Sequence, residues 1–242
     1  MLLIVDVEGR YPAFLQWFNN VLAQALNDYR GRHGQVWDGK PPSAPAVLDK
    51  QAVLNEACYV LGNAVKDGLV RHGRQWPGVR SSPQACLQPP KVVERPEFFF
   101  GKKTKLPDKA ELVFHVPPEY EHLGAEGWSK RFSDALASFE EEARRKIAEQ
   151  GRTFMGAAHV KRKSWKGAPK TPERRGPGKV LHALFISTSK ALRLAAIEAR
   201  LTFTRAHEKA RLAFLAGDRD VLFPHGSYQY PRILGVSCAA PP

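Results

Sequence analysis

The spacing of apolar side chains limits this chain more than any other feature, because it repeats every three or four residues over several long stretches. Over Tyr11–Tyr29, Phe14, Leu15, Phe18, Val21, Leu22, Ala25, Leu26 and Tyr29 fall on one helical stripe. Pro12 lies in the first turn, where its missing N–H costs nothing. Asp49 is placed to cap a second helix that runs to about Lys66 and stops at Asp67-Gly68. Val53, Ala57, Val60, Leu61 and Ala64 form its apolar face, opposite Asn55, Glu56, Tyr59, Asn63 and Lys66. A third helix spans about Trp128–Gln150, burying Phe132, Leu136, Phe139, Ala143 and Ile147. A fourth runs from about Ser189 to Ala216 and ends at Gly217. Strand-like runs are short: Leu2–Val7, Ala110–Val116 and a closing strand or loop over Val221–Tyr228. The chain is expected to be α/β.

Composition narrows the class. With 43% apolar residues the 242-residue chain can bury a real core. No apolar run approaches the roughly 18–20 residues needed to span a bilayer, so no membrane partner is expected. Asp6 interrupts the opening apolar run too early for a signal peptide. Cys58, Cys86 and Cys238 are odd in number and without C-x-x-C spacing, which argues against a disulfide framework or structural zinc and suits a cytoplasmic setting. The balance of 37 basic to 24 acidic side chains gives +13, which points to a polyanion, with nucleic acid ahead of a membrane surface.

That charge is uneven. Residues 161–180 hold eight basic side chains and one acid, Glu173, for a net +7. Lys161, Arg162, Lys163, Lys166, Lys170, Arg174 and Arg175 read as phosphate contacts, and Trp165 among them can stack on an unpaired base. The competing reading is a solvated basic loop with no specific partner. Pro and Gln dominate from residue 83 to Pro96, which places a boundary between a segment 1–83 and a basic, mainly helical segment 84–242.

Motifs for familiar chemistries are absent: there is no G-x-S-x-G elbow, P-loop or H-E-x-x-H, and no two histidines lie within four residues. One constellation remains. Tyr59 and Asn63, four residues apart, project from the same side of the second helix, one turn apart. Taken alone, Tyr59 reads as a half-buried helix tyrosine and Asn63 as a solvated helix residue.

Their surroundings say more. The run Tyr59-Val-Leu-Gly-Asn63-Ala-Val-Lys-Asp-Gly68-Leu-Val, then Trp76-Pro77 and Ser81-Ser82, resembles the end of the catalytic domain of REP-associated tyrosine transposases. These belong to the single-tyrosine HUH family of insertion-sequence-200-like transposases. His33-Gly-Gln-Val-Trp37 is similar to the family's Gly-x-x-Trp loop, and the first helix, with Phe14, Trp17, Phe18 and Asn27, corresponds to the helix after its histidine strand. The resemblance covers about residues 1–83. It implies an incomplete ferredoxin-like catalytic domain followed by a mostly helical basic domain. It also implies DNA transposition chemistry on single-stranded or hairpin DNA, in which Tyr59 attacks a phosphate, forms a 5′-phosphotyrosine link and leaves a free 3′-OH. Asn63 would then assist Mg²⁺ or Mn²⁺ at the site. A looser likeness to extensions in longer family members covers Pro96–Phe100, Arg174-Arg175, Ile197–Ala199 with Phe203, and Ala216–Tyr228.

Two departures matter. Ala64 stands where the family has Pro. The family's His-hydrophobic-His pair is missing, since Met1 stands about where its second histidine falls, ahead of Leu2-Leu-Ile-Val5. The sequence is thus expected to begin just after its metal motif, with the sheet edge along Leu2–Val7 exposed and dimerisation through it left open. A tyrosine hydroxyl, which ordinarily titrates near pH ~10, is a weak nucleophile without a base or metal, and one amide oxygen does not hold Mg²⁺ or Mn²⁺. Strand cleavage is therefore expected to be weak or absent. The alternatives are a catalytically dead DNA-binding protein and an unrelated basic RNA-associated protein.

Overall fold

The computed structural model describes residues 1–37, 42–96, 100, 106–164, 183–227 and 229–240. It is of mixed helix and sheet type, with helices predominant. It divides into two compact units: described residues of 1–4 and 49–182, and described residues of 5–48 and 183–240. Helices on both sides of residue 83 belong to the first unit.

The first unit is built on two helices, α2 (Lys50–Lys66) and α3 (Gly124–Glu149). The Asp49 carboxylate accepts the Ala52 N–H at 2.8 Å and satisfies an otherwise orphaned donor of the first turn of α2. At the other end Gly68 takes φ +78, which lets the Gly68 and Leu69 N–H groups close back on Val65 O and Ala64 O. Ala52, Val53, Leu54, Ala57, Cys58, Leu61 and Val65 of α2 are buried, as are Trp128, Phe132, Leu136, Ala143 and Ile147 of α3. Gly62 allows the close approach: a Cβ there would lie 2.6 Å from the Phe139 ring. At the N-terminal end of α2, Tyr120 stacks near Trp128 (4.7 Å between centroids) and donates its hydroxyl to Lys50 O at 2.7 Å.

In the same unit, β2 (Lys91–Glu94) and β3 (Lys109–Leu112) form an antiparallel ribbon in the register Lys91↔Leu112 to Glu94↔Lys109. All eight residues are exposed. The strand expected over Ala110–Val116 ends at Leu112, because pairing with β2 stops there. The short helix α4 (Ala157–Arg162) follows a segment whose Met155 and Gly156 N–H groups bond Gly68 O and Leu69 O, both at 2.9 Å.

The second unit holds α1 (Tyr11–Tyr29), α5 (Lys190–Leu215) and the six-residue α6 (Gln229–Leu234). It also holds a parallel pair, β1 (Ala46–Val47) with β4 (Phe185–Ile186). The expected strand over Leu2–Val7 is not formed. Asp6 instead turns its carboxylate onto the Arg10 and Tyr11 N–H groups, each at 2.9 Å, at the start of α1. Those bonds, Tyr11's first, hold the Asp6 carboxyl below its usual range. Trp37 donates its indole N–H to Asn19 O at 2.9 Å and ties its loop to α1. Around α5 the core is aromatic: Phe223 is fully buried with Ala210 and Val236, flanked by Phe214 and Tyr230. The Phe223 N–H and C=O bond Ser237 O and the Ala239 N–H. Among the described residues, no helix is long and apolar enough to cross a membrane.

Candidate functional site

The α2 periodicity that buries Val53, Leu61 and Val65 turns Tyr59 and Asn63 to the outer side of the helix, where both are half-buried. Lys66 closes over the Tyr59 ring, with Nζ 4.4 Å from the centroid, a favourable cation–π placement. No base among the described residues is hydrogen-bonded to the Tyr59 hydroxyl. Asn63 departs from expectation: its Oδ1 is buried and has no hydrogen-bond partner among the described residues, so the residue is not simply solvated. Such an oxygen is free to accept a donor or to approach a cation.

The donor set for a metal stops there. Among the described residues, no three His, Cys, Asp or Glu side chains come together. Mg²⁺ demands near-octahedral oxygen ligation, and a single amide oxygen does not supply it. Among the described residues, the donors at Tyr59 and Asn63 do not fit Mg²⁺ or Mn²⁺.

Of the expected phosphate contacts, Lys161, Arg162 and Lys163 lie on or at the end of α4 and are exposed. Their helix is tied to the C-terminal turn of α2 through the Met155 and Gly156 bonds, while Phe154 and Ala157 pack on the Val65, Val70 and Ala143 cluster. The start of the basic segment, Lys161–Lys163, thus follows a stretch tied to the turn after the helix that carries Tyr59 and Asn63. Trp165, Lys166, Lys170, Arg174 and Arg175 lie outside the described residues.

A second group was not legible in the sequence. His72, Arg74, Arg80, Gln84, Ser133 and Glu140 line an open cleft of about 420 Å³ between the turn after α2 and the middle of α3. Glu140 Oε1 accepts the Gly73 N–H at 3.0 Å, and Oε2 lies 3.4 Å from an Arg144 nitrogen and 3.8 Å from His72 Nδ1. Burial pulls the Arg80 guanidinium below its ordinary pKa, and the field of Glu140 pushes back. Arg80 Nε is buried without a hydrogen-bond partner among the described residues. Arg80 directly precedes the Ser81-Ser82 pair, but Glu140 meets it from 60 residues further along, and no local pattern announces that meeting.

No family model matches this chain, and no curated protein or solved structure matches it.

Proposed function

We propose that this protein binds DNA as single strands or hairpins, as a relative of the REP-associated tyrosine transposases, with strand nicking by Tyr59 weak or absent. The observation that carries the reading is the joining, in one compact unit, of the Tyr59–Asn63 helix to the start of the basic segment. The exposed cationic side chains of Lys161, Arg162 and Lys163 suit a nucleic-acid backbone. The order Tyr59, Asn63, Gly68, Trp76-Pro77, Ser81-Ser82 adds the family resemblance. The incomplete ferredoxin-like sheet implied for residues 1–83 has thinner support, since β1 is the one strand described in that range. The reading puts the chain in the cytoplasm, on DNA.

In this reading the basic side chains hold the strand by releasing its counterions, and Tyr59 would be the attacking group in any residual cleavage. The sequence shows no His-hydrophobic-His pair and a single amide oxygen does not hold Mg²⁺ or Mn²⁺, which favours the catalytically silent form over an active nuclease. The test is a hairpin-bearing single-stranded oligonucleotide with Mg²⁺ or Mn²⁺, run on native and denaturing gels beside Tyr59→Phe. A shifted native band of equal strength in both proteins, with no covalent adduct, is expected. An adduct lost in Tyr59→Phe would show an active transposase. No shift at low salt would overturn DNA binding.

A further inference from the structure

The cleft lined by His72, Arg74, Arg80 and Glu140 is absorbed by none of the chemistry assigned to Tyr59 or to the basic segment. Its charge is lopsided: Arg74 and Arg80 line it and Arg144 borders it, against Glu140 as its sole carboxylate among the lining residues. Glu140 is already engaged. Its Oε1 holds the Gly73 N–H, and its Oε2 faces Arg144 and His72. The cleft's neutral groups are engaged too, with Gln84 donating to Ser133 Oγ at 2.9 Å and Ser133 donating to Ser129 O at 2.7 Å. Arg80 is the exception, since its buried Nε has no acceptor among the described residues. Buried N–H donors nearly always find a partner, and a guanidinium offers planar, paired donors that match a phosphate. Arg80 lines the open cleft, so an oxyanion entering from solvent would meet the guanidinium there.

We propose that this cleft takes a phosphodiester group of the bound DNA strand, gripped by Arg80 from within and Arg74 from the rim. The proposal rests on the DNA-binding reading above and adds to it a contact outside the basic segment, in the same compact unit. Glu140 then has a structural role: it fixes the Gly73 backbone and Arg144, and its field offsets part of the cost of burying the Arg80 charge.

The experiment is the salt dependence of binding to a fluorescein-labelled hairpin single-stranded oligonucleotide, read by anisotropy between 50 and 300 mM NaCl (roughly the range over which phosphate contacts are lost). Wild type is compared with Arg80→Gln and Arg74→Gln, and far-UV circular dichroism checks each fold. Arg80→Gln is expected to weaken binding about tenfold and to make the log–log salt slope less negative by about 0.7, the value for one single-strand phosphate. Arg74→Gln moves both quantities the same way by less. Tight wild-type binding with unchanged affinity and slope in Arg80→Gln would overturn the cleft contact and leave the DNA-binding reading standing. Absence of wild-type binding at 50 mM salt (about the most permissive condition) would overturn both. If Arg80→Gln loses its fold, exposed Arg74 decides alone, and an unchanged slope in Arg74→Gln overturns the proposal.

Discussion

Gly73 lies where the turn after α2 meets α3, and its hydrogen is the smallest group that fits there. A Cβ at this position would come 2.6 Å from Glu140 Oε1, 3.0 Å from the Leu61 carbonyl oxygen and 3.2 Å from an Arg80 nitrogen. The Leu61 oxygen belongs to helical backbone and cannot yield cheaply. Glu140 can yield only by releasing the Gly73 N–H, a charge-assisted bond at 3.0 Å. Two opposing effects follow from Gly73→Ala. The backbone is not in the left-handed region, so a methyl group narrows the unfolded ensemble and stabilises by about 0.4–1 kcal/mol. Overpacking costs about 1–3 kcal/mol, and a weakened bond to a buried carboxylate adds about 1.5–3 kcal/mol. The net is a destabilisation of about 2–4 kcal/mol, since the steric and hydrogen-bond costs share one displacement of Glu140 and do not fully add. Urea unfolding followed by far-UV circular dichroism reads this as a midpoint lowered by about 1–2 M, for a slope near 2 kcal/mol/M. An unchanged or raised midpoint would refute the geometry, because the entropic gain would then stand unopposed.

Three further outcomes follow from the same core. Asp49→Ala removes the cap on the Ala52 N–H and is expected to cost about 1 kcal/mol in urea unfolding. Val65→Ala deletes two methyl groups at a fully buried position and is expected to cost about 2–3 kcal/mol, transfer and cavity together; a loss below about 0.5 kcal/mol would contradict the packing described. Burial pushes the Cys58 thiol up from 9.0 to about 11. Above about pH 9 the unfolded thiol ionises while the folded one stays neutral, so this contribution to stability is intact below that pH and declines as pH rises toward about 11. Iodoacetamide at pH 8 (roughly neutral for this thiol) should label Cys58 far more slowly in the native protein than in urea, and equal rates would contradict its burial.

The long helices were legible because their periodicity is local. Asp49, Gly68, Ser189 and Gly217 are start and stop signals that act within one turn, and α1, α2 and α5 begin and end at or beside the expected residues. Where pairing depends on a distant partner, the reading fell short. Leu2–Val7 has the composition of a strand, yet a strand needs a neighbour, and Asp6 is drawn to the orphaned N–H groups of α1 instead. The parallel match of Ala46-Val47 with Phe185-Ile186 joins residues about 140 positions apart and leaves no local trace. The candidate site divides the same way. Helical spacing put Tyr59 and Asn63 on one side of α2, but the burial of Asn63 Oδ1 and the cleft between Arg80 and Glu140 arise only when α2, its following turn and α3 pack.

DNA is the proposed partner. A competition experiment tests it most directly: the protein bound to a labelled hairpin single-stranded DNA is titrated with unlabelled DNA of the same sequence, then with unstructured RNA of equal length, at one fixed salt concentration. If DNA is the partner, it displaces the label at concentrations at least about tenfold below those of the RNA. Equal or better displacement by the RNA would contradict it and favour the RNA-associated reading.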